Sequence, residues 1–350
     1  MKGLETDILN QDFISIVEEF RDFMSQLEED CLTFDKQNLT STKAQQIEFV
    51  KAKKDTYKTI DLFFYKLWLI AKNFTKTEFL QHQKFIQQEL LDFFMQEAMP
   101  LNHRIYTKPL GYPGDYLMMN YYYEDGYSGV TAYAKLLDKY TLSIPIARAH
   151  IQRRDILKNK ILDVLEKRKE QSTSKIASFA CGPAIEMLDV LKEGGIPANA
   201  KFLCVDGEQG AIDQIKNNVS GIEEENKQRI DISFMTENVL QMVRKKIVTP
   251  ELVGQDFIYC AGFFDYLADR TLVRFVRYIF DLLKPGGIFV GANIYKEHFC
   301  QVYLEMLGEW YLVHRDEESM KGIARDLGAS EVSINFDPET KTNIFLTIKK

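Results

Sequence analysis

The chain has 350 residues, long enough for two domains or one enlarged one with a sizeable core. Hydrophobic residues make up 45% and charged residues 27%, which is a soluble globular composition, and the net charge of −7 argues against nucleic acid or an anionic membrane as a general partner. Five scattered cysteines (Cys31, Cys181, Cys204, Cys260, Cys300) exclude a disulfide framework and a metal site, and read as reduced thiols. Met1 to Asp7 carries no apolar signal segment. No run reaches the roughly 18 uninterrupted apolar residues of a membrane span, so a cytoplasmic protein is expected.

The first hundred residues read as helix. Phe13, Val17, Phe20, Met24, Leu27 and Cys31 recur at steps of four and three, the stripe of an amphipathic helix. A second helix is expected from Ser41-Thr42 through Ile47, Val50, Tyr57, Ile60, Phe64 and Leu67 to Ile70. A third follows Thr75 or Thr77 and carries Phe79, Ile86, Leu90, Phe93 and Phe94. Glycine is absent from Asp7 to Pro100, and Pro100 is the first proline, so the helical module is expected to end there. Residues 1–105 are read as a helical cap domain that excludes water from a neighbouring site.

Composition then changes. Thr107 to Tyr116 is punctuated by Pro109, Gly111, Pro113 and Gly114 and must be a shaped loop. Met118 to Glu124 follows, with Tyr121, Tyr122 and Tyr123 in a row; such rings suit a pocket wall or, equally, a packed linker. Residues 106–150 are taken as a substrate loop and connector. From Ser143 a basic helix continues, with Ile151, Ile156, Ile161 and Leu165 as its apolar face and Arg153, Arg154, Lys158 and Lys160 as a solvated face. Arg148, nearest the loop, is the basic residue expected to meet a carboxylate.

The segment Lys175 to Met187 organises the remainder. An apolar run breaks at Ala180-Cys181-Gly182-Pro183-Ala184 and resumes with helical spacing, the strand–turn–helix that opens a nucleotide-binding unit. The next strand ends at Asp206, 24 positions past Gly182, where a ribose-binding carboxylate belongs. A dinucleotide turn wants three glycines around a pyrophosphate. Here Gly182 stands alone and Pro183 removes an amide donor, so the better ligand is S-adenosylmethionine (SAM), which has no phosphate. Further strands are expected at Ile230–Met235, Asp256–Cys260 and Ile288–Asn293. A helix from Leu272 to Leu283 stops at Lys284-Pro285-Gly286-Gly287, and another spans Ser319 to Leu327. Two alternating runs, Val332/Ile334/Phe336 and Ile344/Leu346/Ile348, turn at Asp337 to Thr340. They predict a parallel α/β sheet closed by an antiparallel hairpin.

With these landmarks on the page, residues 151–350 resemble a class I SAM-dependent methyltransferase. The resemblance implies a Rossmann-like fold and S-adenosyl-L-methionine as cofactor. It assigns Ala180, Cys181 and Gly182 to the first motif, Asp206 and Gly207 to the ribose, and Glu237, Asn238 and Val239 to the adenine. Ala261, Gly262 and Phe263 fall on the fourth motif. Lys108 to Asp115, Ala261 to Leu267 and Trp310 to Arg315 further resemble a bacterial subgroup of 3-hydroxy fatty acid methyl ester synthases. That implies methyl transfer to a small-molecule acceptor, with a fatty-acid-like carboxylate oxygen first. Tyr112, Asp115, Tyr116, Asn120, Tyr266 and Asn293 are the residues expected around it. An ionised carboxylate needs no base; a hydroxyl or amine acceptor would draw on His103, His150 or His298. A related reading makes the chain a cyclase that converts SAM to azetidine-2-carboxylate and releases methylthioadenosine. A non-catalytic SAM-binding module is the third reading.

Overall fold

The computed structural model describes residues 8–38, 40–124, 126–168 and 173–350; the expectation about a signal segment at residues 1–7 lies outside them. Among the described residues no helix is long and apolar enough to cross a membrane. The chain divides into two compact units, one of residues 1–148 with 297–311, the other of residues 149–296 with 312–350.

In the first unit, α1 (Gln11–Gln37) buries the stripe Phe13, Val17, Phe20, Met24, Leu27 and Cys31, and the Asn10 side chain caps it by accepting from the Phe13 N–H. The expected second helix is two: α2 (Lys43–Ala52) and α3 (Thr56–Ala71). No glycine or proline marks the break. The chain turns at Lys53, whose Nζ pairs with Asp30 at 2.7 Å and whose carbonyl accepts from the Thr56 hydroxyl. α4 (Lys76–Phe94) starts in a capping box of Thr75 and Glu78. The helical module does not stop at Pro100. Proline at the first helical position instead opens α5 (Pro100–Thr107), followed by α6 (Tyr116–Tyr122) and α7 (Ala132–Ser143); α8 (Pro145–Lys167) starts at the end of this unit and belongs mainly to the second. Phe20 stacks on Phe63 at 4.6 Å and meets Phe64 edge-on at 5.0 Å. Residues 297–311 lie within the expected cofactor domain, 151–350, but cluster with the helices. They belong to the helical unit because Tyr303, in a π-helical turn (Val302–Leu307), is buried against Phe64 and Phe94, with its hydroxyl 2.7 Å from Thr141 Oγ1.

The second unit alternates β1 (Ser174–Phe179), α9 (Ile185–Glu193), β2 (Ala200–Asp206), α10 (Gln209–Asn226), β3 (Ile232–Thr236), α11 (Val239–Lys245), β4 (Gln255–Cys260), α12 (Asp269–Leu282), β5 (Leu283–Ile294), α13 (Glu317–Ile323), β6 (Glu331–Phe336) and β7 (Asn343–Lys349). The described sheet has the order β3-β2-β1-β4-β5-β7-β6. β1 to β5 pair in parallel, and β7 lies antiparallel between β5 and β6. Both faces are covered, which is why these strands read as continuous apolar runs. Ile176, Phe202, Phe257 and Tyr259 point into one core with α8 to α10; Ala177, Leu203, Ile258 and Cys260 point into the other with α11 to α13. Lys284 to Gly287, expected as the loop after a helix, already belongs to β5. A Cβ on Gly287 would stand 2.7 Å from the Gln255 carbonyl, so glycine permits that close strand approach.

Candidate cofactor site

The carboxyl ends of β1 and β2 converge on one carboxylate. Asp206, at the end of β2, accepts from the Gly182 N–H at 2.8 Å through Oδ2 and from the Glu208 N–H at 2.9 Å through Oδ1. Each oxygen keeps a second lone-pair direction for a ribose hydroxyl. The Asp206 carbonyl takes the Glu237 N–H at 2.9 Å, tying the end of β3 to it. Gly207 adds no bulk there: a Cβ would come only into ordinary contact with the Asn238 Cα, at 3.7 Å.

The turn itself is strained. Ala180 and Ala184 hold φ of 49° and 47°, left-handed values that cost an alanine on the order of 1 kcal/mol each, and Gly182 holds 54°. Its amides are also spent. The Cys181 N–H donates to the Val205 carbonyl, the Gly182 N–H to Asp206, Pro183 has none, and the Ala184 N–H donates to the Cys181 carbonyl. The Glu186 carboxyl sits at the amino end of α9, where a pyrophosphate would otherwise bind; burial raises its pKa, while its own backbone N–H, the Tyr259 hydroxyl and the Arg153 guanidinium pull it back. This cradle fits a ligand with a ribose and no phosphate.

Other expected contacts sit on the same edge. Glu237 is exposed, and Asn238 caps α11 by accepting from the Gln241 N–H at 3.1 Å, with Val239 buried behind it. Ala261 and Gly262 follow β4, and Phe263 meets Phe275 edge-on at 5.5 Å. Among the described residues no group of three or more His, Cys, Asp or Glu is placed to hold a metal ion.

The residues expected around an acceptor fall in both units. In the first, Asp115 is buried, caps α6 through the Met118 N–H and pairs with Arg104 through two bonds of 3.0 and 2.8 Å. It therefore pins the Gly/Pro loop. Tyr112 is exposed on that loop; Tyr116 and Asn120 are half-buried on α6. In the second, Tyr266 is exposed, whereas Asn293 is fully buried with its amide engaged: Oδ1 accepts from Arg315 at 2.6 Å, and Nδ2 donates to the Ile294 and Val313 carbonyls. Asp265, not singled out in the sequence, is buried and accepts the Ile294 N–H at 2.6 Å. Burial pushes its carboxyl up against the pull of that N–H and of Arg153, His314 and Arg315.

The basic helix departs from expectation. Arg148 is exposed and, as expected of it, acts on a carboxylate: its charge opposes the burial that raises the Asp61 pKa. Arg153, expected on the solvated face, is instead buried at 4% exposure. A signal was present: Arg153 precedes Leu157 by four positions and Ile161 by eight, in line with the buried stripe of α8. Of the expected apolar face, Ile161 and Leu165 are buried in the core, while Ile151 and Ile156 are half-buried.

No protein-family model matches the chain, and no curated protein matches it. Among solved structures, one described as a possible exported protein from Bordetella parapertussis superposes with a TM-score of 0.55 at 14% identity, over 72% of this chain and 87% of that one. Looser matches include magnesium protoporphyrin IX methyltransferase from Synechocystis PCC 6803 with bound S-adenosylhomocysteine (TM-score 0.48, 11% identity, 73% of this chain, 100% of that one). The N-methyltransferase NodS from Bradyrhizobium japonicum WM9, also with S-adenosylhomocysteine, matches at TM-score 0.40 and 13% identity over 67% and 97% of the two chains. At these identities the likeness is one of fold alone; the chain's own strand order is that of a Rossmann-like sheet closed by an antiparallel hairpin.

Proposed function

We propose that this chain is a SAM-dependent methyltransferase that acts on a small molecule. The observation that carries the reading is Asp206 held by the N–H of Gly182, at the edge of a sheet whose β1 turn has the amides of Cys181, Gly182 and Ala184 already engaged. Asp206 and Gly182 would hold the ribose, and Glu237, Asn238 and Val239 the adenine. Bound there, SAM supplies a sulfonium-activated methyl carbon, which an acceptor oxygen attacks in line while the thioether leaves. The chain's own task is then orientation and exclusion of water, a contribution worth roughly 7–11 kcal/mol in well-aligned reactions. A carboxylate oxygen of an apolar acid is the preferred acceptor, because the loop and tyrosine motifs resemble the methyl ester synthases and an ionised carboxylate requires no base. Within the unit that holds Asp206, Tyr266 is proposed to face the acceptor, and the buried Asn293 to hold the framework behind it.

Calorimetry tests the cofactor assignment. Wild-type protein binds S-adenosylhomocysteine, and Asp206→Ala weakens binding at least about 100-fold, as loss of two charge-assisted hydrogen bonds predicts. Unchanged affinity in the variant removes Asp206 from the site. Incubation with SAM and a 3-hydroxy fatty acid yields S-adenosylhomocysteine and the ester; methylthioadenosine formed from SAM alone would establish the cyclase chemistry instead.

A further inference from the structure

A cavity of about 350 Å³ opens in the second unit at the edge of the sheet away from Asp206. It lies between the last two turns of α8, the first residues of β4 and β5, and the end of β7. Ala261, at the cofactor edge, is about 17 Å away along β4 at roughly 3.3 Å per residue. The volume is within the roughly 300–1,000 Å³ of small-molecule sites. Val164, Phe257 and Ile288 give the cavity an apolar floor. Its rim is cationic. Lys160, Lys167, Arg168 and Lys349 stand against two carboxylates, Asp163 and Asp256, in a chain whose net charge is −7. Asp256 is already satisfied: it is 2% exposed, accepts the Lys175 N–H at 2.9 Å, and pairs with Arg168 at 2.6 Å and with Lys284. The lysines are left in surplus, since among the described residues Lys160, Lys167 and Lys349 form no ion pair. Cations at a helix carboxyl end often do no more than complement its dipole. That accounts for Lys167 and Arg168, but Lys160 lies two turns earlier and Lys349 comes from the sheet.

We propose that this cavity binds a phosphate monoester with an apolar body, at a site separate from the cofactor edge. Ammonium groups converging from a helix and a strand act as point charges on the several oxygens of a phosphate. A carboxylate is better matched by a planar guanidinium fork, and Arg168 is committed to Asp256. The apolar floor takes the carbon body of the ester, which makes an organic phosphate a better ligand than inorganic phosphate. None of these residues belongs to the Asp206 edge, so the assignment is independent of the methyltransferase reading.

Titration calorimetry at pH 8 and low salt, with phenyl phosphate, benzoate and inorganic phosphate, provides the test. Wild-type protein binds phenyl phosphate with a Kd below about 1 mM, at least about 10-fold tighter than benzoate or inorganic phosphate, and added salt weakens it. Replacing both rim lysines, Lys160→Ala with Lys349→Ala, lowers the affinity at least about 10-fold, as loss of two charge-assisted contacts predicts. Lys167→Ala, at an exposed position, repeats the loss in a second variant. Removing the same charge elsewhere on the unit, Lys201→Ala with Lys216→Ala, leaves the affinity within about twofold of wild type. Wild-type protein that takes up no phenyl phosphate at about 10 mM overturns the proposal. So does equal affinity in the wild type and the rim variants, an equal loss in the control pair (the mark of net charge alone), or benzoate binding as tightly as the ester. Retention on phosphatidic acid vesicles without any response to phenyl phosphate overturns the soluble ligand and moves the same chemistry to a lipid headgroup.

Discussion

Single positions show how tightly the second unit is specified. A Cβ on Gly291 would lie 2.1 Å from the tip of the Phe264 ring, which is buried between Phe275 and Phe289. Gly291→Ala therefore overpacks the core just ahead of Tyr266 and should cost about 1–3 kcal/mol, read from urea midpoints. In the first unit Asp138 is buried in α7, and burial pushes its pKa from 3.8 to about 7 against the pull of the backbone N–H groups of Asn102, Leu101 and Gly129. The unfolded chain gives up this proton near 3.8 and the folded one near 7, so the folded state carries the extra proton in between. Stability contributed here is complete below that window, falls by about 1.4 kcal/mol for each pH unit crossed, and stays low above it. Asp138→Asn should thus unfold at higher urea than wild type at pH 8, with the advantage vanishing at pH 4. Neither role is readable from sequence. Asn293 illustrates the reason: an asparagine at a strand end looks like a ligand contact until Arg315 is seen to claim its oxygen, 22 residues away.

At the scale of elements, the helices show which signals survive folding. The stripe of α1 was legible because its period is unbroken and one face meets one core. The break between α2 and α3 was not, since no glycine or proline marks it and the turn is closed by the N–H and hydroxyl of Thr56 on the Lys53 carbonyl. For α8 the face was legible at Ile161 and Leu165 but not in the first turns, where Arg153 takes a place in the buried stripe that an arginine is not expected to fill. α4 carries a pH dependence of its own. His82 is buried, stacks on Phe74 at 4.0 Å, donates from Nδ1 to the Glu78 carbonyl and accepts the Asn10 N–H at Nε2, which fixes the neutral ring. Burial lowers its pKa below 6.5. Its contribution is therefore complete above pH 6.5 and is lost as pH falls, when Nε2 must take a proton and release the N–H at the start of α1. Melting temperature should drop between pH 7 and pH 5, and His82→Gln should flatten that drop.

For the whole molecule, the α/β alternation was enough to anticipate the sheet and its closing hairpin, because parallel strands buried on both faces leave apolar runs that punctuation separates cleanly. The division of the chain was harder to read, as residues 297–311 leave the unit that surrounds them in sequence. The cofactor reading has a consequence at this scale. S-adenosylhomocysteine at 100 times its Kd should add about 2.7 kcal/mol to the unfolding free energy of the unit that contains Asp206. In a calorimetric scan that resolves two transitions, one should move and the other stay, and Asp206→Ala should abolish the shift.

Tyr303 imposes an order of events on biosynthesis. The helices that surround its ring leave the ribosome first, yet the aromatic plug between Phe64 and Phe94 is translated 160 residues after the end of α7. Until then the early helices hold an unfilled centre, exposed to chaperones and proteases while the sheet is still being made. The amino-terminal half thus reaches its final packing only when nearly the entire polypeptide exists, and a nascent chain stalled before Tyr303 should remain far more protease-sensitive in α3 and α4 than one released beyond residue 311.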